Sequence, residues 1–120
     1  MAFPGTYNFS YYRGDTYQFV VRPKNANGTT FQLDAYSGNA VFTIANRRGS
    51  GAVQVIATAT VDAANDIVTC TITPEQGRQL FAGTSYVYDV QITNVTANPD
   101  VVFTLLTGSI TVTDDVSGAV

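Results

Sequence analysis

The amino-acid sequence predicts an all-β domain of about seven to eight short strands with one short helical turn. Three observations predict this class. Apolar and polar residues alternate in short runs, Gly, Pro, Asn and Asp separate the runs, and turn signals recur about every eight to twelve residues. Such spacing is typical of a β-sandwich or a closed β-sheet.

The first two predicted strands lie on either side of a tight turn. TYNFSYY (6–12) runs into Arg13-Gly14-Asp15, and TYQFVV (16–21) follows. Alternation places three apolar residues on one face of the second strand: Tyr17, Phe19 and Val21. Pro23 ends that strand, because proline has no N–H to donate to a ladder.

The next three predicted strands are 39–46 (NAVFTIAN), 52–61 (AVQVIATATV) and 67–73 (IVTCTIT). In the first of them, alternation turns Ala40, Phe42 and Ile44 inward. DAAND (62–66) is predicted to be a hairpin connection between the other two. Cys70 has the parity of the apolar residues two positions away on either side, which predicts a buried thiol.

One helical turn is predicted within PEQGRQLFAG (74–83). Thr73 can cap it, Pro74 occupies the first helical position, and Gly83 can end it in a left-handed conformation.

The last two predicted strands differ in regularity. Strict alternation in SYVYDVQIT places Tyr86, Tyr88, Val90 and Ile92 on one face. In VVFTLLTGSITVT (101–113) the apolar parity switches between Leu105 and Ile110. Such a slip predicts a β-bulge, which we expect at Thr107-Gly108.

Length and composition predict a single domain over residues 1–120, with an N-terminal arm at 1–5 and a flexible tail at 114–120. Hydrophobic residues make up 45% and charged residues 12%, about half the usual charged share. A surface of Thr, Ser, Asn and Gln is easily desolvated, which favours a chain that packs against other proteins.

Several functional classes are disfavoured. The net charge is −3 without a basic block, which argues against nucleic-acid binding. The chain has no His and a single Cys, so the usual general base, metal ligand and activated nucleophile are missing. No apolar run reaches the length of a membrane span. We therefore expect no enzyme activity, no cofactor, no metal and no membrane contact.

A calcium-dependent adhesion or carbohydrate-binding module is the alternative from another class. Hard oxygen ligands could come from Asp62, Asn65 and Asp66 in one loop, or from Asp114 and Asp115 in the tail. The spacing matches no EF-hand, and a hairpin turn favours the same residue types.

The segment LFAGTSYVYDV carries a tyrosine-corner motif. Leu80, Gly83 and Tyr86 match a crossover in which the tyrosine hydroxyl bonds back to the backbone. The segment resembles the L-x-P-G-T-x-Y-x-V-x-V stretch of fibronectin type III domains, although the early core tryptophan of that family is missing. The resemblance implies an immunoglobulin-like Greek-key β-sandwich.

A second resemblance extends along nearly the whole chain. GDT (14–16), NANGTT (25–30), VTCTITPEQ (68–76) and the LFAG-to-YDVQI segment (80–92) follow one another before GSITVTD (108–114). This order is similar to that of small immunoglobulin-like virion structural proteins of tailed phages, including upper baseplate N-terminal modules. The opening MAFPGTYNFSYYRGDTY (1–17) is also similar to short structural proteins of cyanophages. The resemblance implies a virion protein made in the cytoplasm of a bacterial host.

The aromatic N-terminal segment supplies the predicted contact residues. Tyrosine and arginine are enriched at interface hot spots. The predicted partner-binding residues are Phe3, Tyr7, Tyr11, Tyr12 and Arg13. We expect a tail, baseplate or adaptor subunit that binds other virion proteins in a symmetric assembly, with self-association as a further expectation. A capsid decoration protein is the alternative within this class.

Overall fold

The computed structural model describes residues 5–36, 38–49, 54–94 and 101–113. Its strands are β1 (Gly5–Thr6), β2 (Phe9–Tyr12), β3 (Tyr17–Val21), β4 (Ala40–Ala45), β5 (Gln54–Asp62), β6 (Ile67–Ile72), β7 (Ser85–Asn94) and β8 (Val101–Thr113). A 3-10 turn spans Asp34–Tyr36, and helix α1 spans Pro74–Gly77. Phe3, most of the predicted arm and the predicted tail 114–120 lie outside the described residues.

The strands form one curled mixed sheet in the order β1-β8-β7-β4-β5-β6-β3. β1 and β2 both pair with β8 in parallel, and the other pairs are antiparallel. β5 causes the curl, because Gln54–Ala57 pair with β4 whereas Thr58–Asp62 pair with β6. The described chain is therefore mostly β, as the alternation predicted.

The two arms of the curled sheet face each other across the core. The Phe19 ring on β3 meets Phe42 of β4 at a centroid distance of 5.5 Å and Tyr88 of β7 at 6.1 Å. On the central strands nearly all large buried side chains are those that alternation turned inward: Phe42, Ile44, Val68, Cys70, Ile72, Tyr86, Tyr88, Val90 and Ile92. Burying these side chains is the main contribution to stability, at about 1.5–3 kcal/mol for each large apolar one.

Helix α1 begins where the sequence placed it. Thr73 Oγ1 accepts a hydrogen bond from Gln76 N–H, and the Gln76 side chain accepts one from Thr73 N–H, which is a capping box. The helix ends at Gly77, earlier than Gly83. Gly83 has a φ of +75° and lies in the loop that follows, so its left-handed conformation serves the approach to β7.

The predicted bulge is present at a different position. The β7–β8 register shifts between Val90, opposite Leu106, and Gln91, opposite Thr104, so Leu105 is the extra residue. The expectation of a bulge at Thr107-Gly108 is therefore wrong by about two residues. Gly108 has another role: a Cβ atom there would lie 2.0 Å from the Tyr7 carbonyl oxygen. The glycine lets the chain between β1 and β2 run very close to β8.

Candidate partner-contact surface

Three separate parts of the chain converge at the end of the sheet where β8 stops. Tyr12 of β2 lies opposite Thr113, and Arg13 N–H donates to Thr113 O at 2.8 Å. On the other side of β8, Gly83 N–H donates to Val112 O at 2.9 Å. The β2–β3 turn, the end of β8 and the segment between α1 and β7 therefore form one surface.

The Arg13 side chain fixes this surface. Its Nε donates to Leu80 O at 2.8 Å and its Nη2 donates to Arg78 O at 2.8 Å. Arginine suits this position because its planar guanidinium can address two carbonyl oxygens at once. Predicted as a partner-binding residue, Arg13 thus also joins β2 to the segment before β7.

Two large aromatic side chains are exposed beside that connection. Tyr12 is 56% exposed and Phe81 is 73% exposed, although both are hydrophobic. Each is adjacent in sequence to one partner of the Arg13–Leu80 hydrogen bond. We call Tyr12, Arg13 and Phe81 the aromatic patch. Tyrosine, arginine and phenylalanine are residue types enriched in protein interfaces.

The tyrosine corner holds Phe81 in place. Tyr86 Oη accepts a hydrogen bond from Phe81 N–H at 2.8 Å, while the Leu80 side chain is fully buried. The backbone of Phe81 is thus anchored on both sides, by the Tyr86 hydroxyl and by the Leu80 core contact. A rigid backbone lowers the entropy lost when an exposed side chain is ordered in an interface.

The structure places Tyr11 in the core, with 1% of its side chain exposed. Its Oη donates to Asp15 O at 2.6 Å, and burial raises the pKa of its hydroxyl. The ring packs so close to Gly77 that a Cβ atom there would clash with the hydroxyl. Tyr11, predicted as a partner-binding residue, is thus not an exposed contact residue in this structure, because alternation gives the face of a residue but not its depth.

Tyr7 lies between β1 and β2, away from the aromatic patch. It is 40% exposed, its Oη is 2.6 Å from Tyr17 Oη, and its carbonyl accepts a hydrogen bond from Tyr88 Oη. Phe9 stacks on Tyr17 with ring centroids 4.5 Å apart. Burial, followed by the hydrogen bond with Tyr7, raises the pKa of Tyr17 to about 12. These rings close the gap between β2 and β3, which share no backbone pairing in the described chain.

The candidate calcium ligands are engaged within the chain. Asp62 accepts hydrogen bonds from the backbone and the side-chain amide of Asn65, which lower the pKa of its carboxyl. Asp66 Oδ1 accepts from Leu33 N–H at 3.0 Å. Among the described residues, no three His, Cys, Asp or Glu side chains form a group able to hold a metal. Asp114 and Asp115 lie outside them.

Sequence reasoning did not single out Phe81. The available signal was its position next to Leu80, the residue of the corner motif that is buried in the core. Exposed large apolar side chains gain meaning when they cluster. Because the Arg13–Leu80 hydrogen bond holds its chain segment next to that of Tyr12, we assign Phe81 to the candidate contact surface.

A search for membrane-spanning helices finds none with sufficient length and apolar character in the described part of the chain. A scan against models of known protein families gives no match. A search of curated proteins gives no match either.

Proposed function

We propose that this chain is a non-enzymatic structural subunit of a tailed-phage virion, part of the tail, baseplate or an adaptor, that acts through contacts with other virion proteins. The observation that carries the proposal is the aromatic patch. The exposed aromatic residues Tyr12 and Phe81 are the chain neighbours of Arg13 and Leu80, which a hydrogen bond from the Arg13 guanidinium joins. Rigid exposed aromatics are the usual anchors of protein interfaces.

The strand order supports an immunoglobulin-like Greek-key sandwich as the fold behind this function. β3, β6 and the second part of β5 face β4, β7 and β8 across the core, and β5 passes from one layer to the other. β2 lies parallel to the last strand, and the tyrosine corner precedes β7. Such modules present loops and edges to partners while the sandwich stays rigid.

The surface chemistry fits a subunit that is packed among other proteins. Outward positions of β5 and β6 carry threonines in register, Thr58 opposite Thr71 and Thr60 opposite Thr69. Removing neutral hydroxyls from water costs far less than removing charges. Faces of this kind can be covered by neighbours without the desolvation penalty of buried ions.

The test compares Tyr12→Ala and Phe81→Ala with Ile56→Ala, since Ile56 is as exposed as Tyr12 but lies on β5, outside the patch. Each variant is mixed with purified particles or tail subassemblies of the phage that carries the sequence, and co-sedimentation is measured. We expect each patch variant to weaken binding about tenfold or more, while Ile56→Ala binds like the wild type. Particles that neither contain nor bind the chain would contradict the proposal.

A further inference from the structure

The curled sheet ends at β3, whose outer edge pairs with no other strand among the described residues. Among the described residues, β3 pairs with β6 alone, in continuous register from Tyr17 to Val21. Natural sheets protect such edges with charged side chains, prolines or bulges. The strand sequence YQFVV contains no charged residue and no proline, and its register shows no bulge.

An apolar groove runs beside this edge. Its volume is about 290 Å³, and it is lined by Tyr7, Phe19, Val20, Val21, Arg22 and Leu106. β6 contributes no residue to the lining, so the groove lies on the unpaired side of β3, toward β1 and β8. An added strand would therefore find backbone hydrogen-bonding groups on one side and apolar contacts beneath.

The charges that flank β3 in sequence are of opposite sign at its two ends. Asp15 precedes the strand, whereas Arg22 and Lys24 follow it, and all three side chains are exposed. When two such strands lie antiparallel, the basic end of each is adjacent to the acidic end of the other. A two-fold axis repeats this complementarity at both ends.

We propose that β3 pairs in antiparallel fashion with β3 of a second copy of this chain, forming a two-fold symmetric dimer with one sheet continuous across it. Pairing Phe19 with its own copy keeps inward residues opposite inward residues, and places Tyr17 opposite Val21. The proposal rests on the function proposed above, because it names one partner of a protein that acts through protein contacts.

The outward face of this edge also suits a continuous sheet. Gln18 lies opposite Thr71, and Val20 lies opposite Thr69. The Gln18 side-chain amide donates to Thr71 Oγ1 at 3.2 Å, so this outward-facing pair of side chains is ordered before a partner binds. Across the two-fold axis these uncharged rows join without bringing like charges together. An edge of five residues buries less area than a standard interface, so we expect a weak dimer.

The first experiment measures self-association by sedimentation velocity between about 5 and 200 µM, where a weak dimer dissociates measurably. Val20→Lys adds a charge to the edge, and Val41→Lys is the matched control. Both valines are outward-facing, at 40% and 44% exposure, but Val41 lies on β4, which is paired on both sides. We expect concentration-dependent dimers for the wild type and Val41→Lys, and at least about tenfold weaker association for Val20→Lys.

A charge exchange tests the antiparallel arrangement. Arg22→Asp and Asp15→Arg should each weaken the dimer, because each places like charges together at both ends. The double variant restores opposite pairs, and we expect its association to return toward that of the wild type. A double variant weaker than either single variant would overturn the antiparallel pairing.

These experiments distinguish failure of the β3 dimer from failure of the proposed structural role. A wild-type chain that stays monomeric across the concentration range overturns the self-pairing, whether or not it binds particles. If that monomer still co-sediments with particles, the structural role stands. Loss of co-sedimentation in Val20→Lys, with a monomeric wild type, would assign the β3 edge to a different protein and would also overturn the dimer.

Discussion

Arg13 Nε lies 2.8 Å from Leu80 O and joins residues that are 67 positions apart in the chain. The same guanidinium reaches Arg78 O, so the turn after β2 is held against the segment that leads into β7. Tyr12 and Phe81, the two exposed aromatics, flank this connection. The hydrogen bonds that stabilise the fold thus also set the relative positions of the candidate contact side chains.

Replacing Arg13 should therefore reduce both stability and the order of the patch. We expect Arg13→Ala to lower the free energy of unfolding by about 1–2 kcal/mol, because two hydrogen bonds from a charged, partly exposed donor are lost. Arg13→Lys should recover only part of this lost stability, since an ammonium cannot reproduce the planar geometry that addresses two carbonyl oxygens. Urea titration measures both variants. Stability equal to the wild type in Arg13→Ala would contradict a stabilising role for these two hydrogen bonds.

Tyr86→Phe tests the tyrosine corner. The substitution removes the acceptor of Phe81 N–H, and Tyr86 is only 6% exposed. We expect a loss of about 0.5–1.5 kcal/mol in the free energy of unfolding. Tyr12→Phe is the control: it removes a hydroxyl from a side chain that is 56% exposed, and should change stability by less than about 0.5 kcal/mol. Equal effects of the two substitutions would refute a specific role of the Tyr86 hydroxyl.

The strand faces could be predicted from the sequence because side-chain direction in a strand depends only on parity. Val68, Cys70 and Ile72 are buried as their alternation predicted. Thr73 and Pro74 predicted the start of α1 because N-cap and first-turn preferences are local. These features need no knowledge of which strands are neighbours.

How deeply a side chain is buried, and where two backbone segments approach closely, depends on which strands are neighbours. The sequence pattern did not give that information. Tyr11 and Tyr7 share a parity, yet Tyr11 is buried under α1 whereas Tyr7 is partly exposed. The parity switch in β8 located the bulge only to within a few residues, since Leu105 and Leu106 are both apolar. The bulge was predicted at Thr107-Gly108, but position 108 requires a glycine for another reason, namely that the Tyr7 backbone lies against it.

Cys70 should be unreactive in the folded protein. Its side chain is fully buried, and burial raises the pKa of the thiol to about 12. The thiolate is the reactive form, so both accessibility and ionisation suppress modification. With a disulfide reagent at about pH 8, we expect the folded protein to react only as fast as local or global unfolding exposes Cys70. In denaturant, we expect one full equivalent of thiol to react. Rapid reaction without denaturant would contradict the burial, and Cys70→Ala provides the blank.

Stability should fall in alkaline solution. The pKa of Tyr17 is raised from 10.0 to about 12, and burial also raises the pKa values of Tyr11 and Tyr88. Above about pH 10 the unfolded chain releases these protons while the folded chain keeps them, so the folded state binds more protons and loses stability as pH rises. Urea titrations at several pH values should show this decline, with a shallower slope in Tyr17→Phe. A constant unfolding midpoint from about pH 9 to 12 would contradict the raised values.

Gly108→Ala should be among the most destabilising substitutions of a small residue in this chain. A Cβ atom at Gly108 would lie 2.0 Å from Tyr7 O and 2.8 Å from Tyr7 C, and both are backbone atoms that cannot rotate away. Tyr7 N–H donates to Thr107 O, and Tyr7 O accepts from Tyr88 Oη, so moving the chain away would break bonds on both sides. We expect a loss of about 1–3 kcal/mol in the free energy of unfolding. Gly5→Ala is the matched control on β1, where the new methyl would meet Leu106 Cδ1 at an ordinary 3.5 Å. Thermal and urea unfolding of both variants measure the difference, and a Gly108→Ala protein as stable as Gly5→Ala would show that the backbone at Tyr7 does not approach Gly108 this closely.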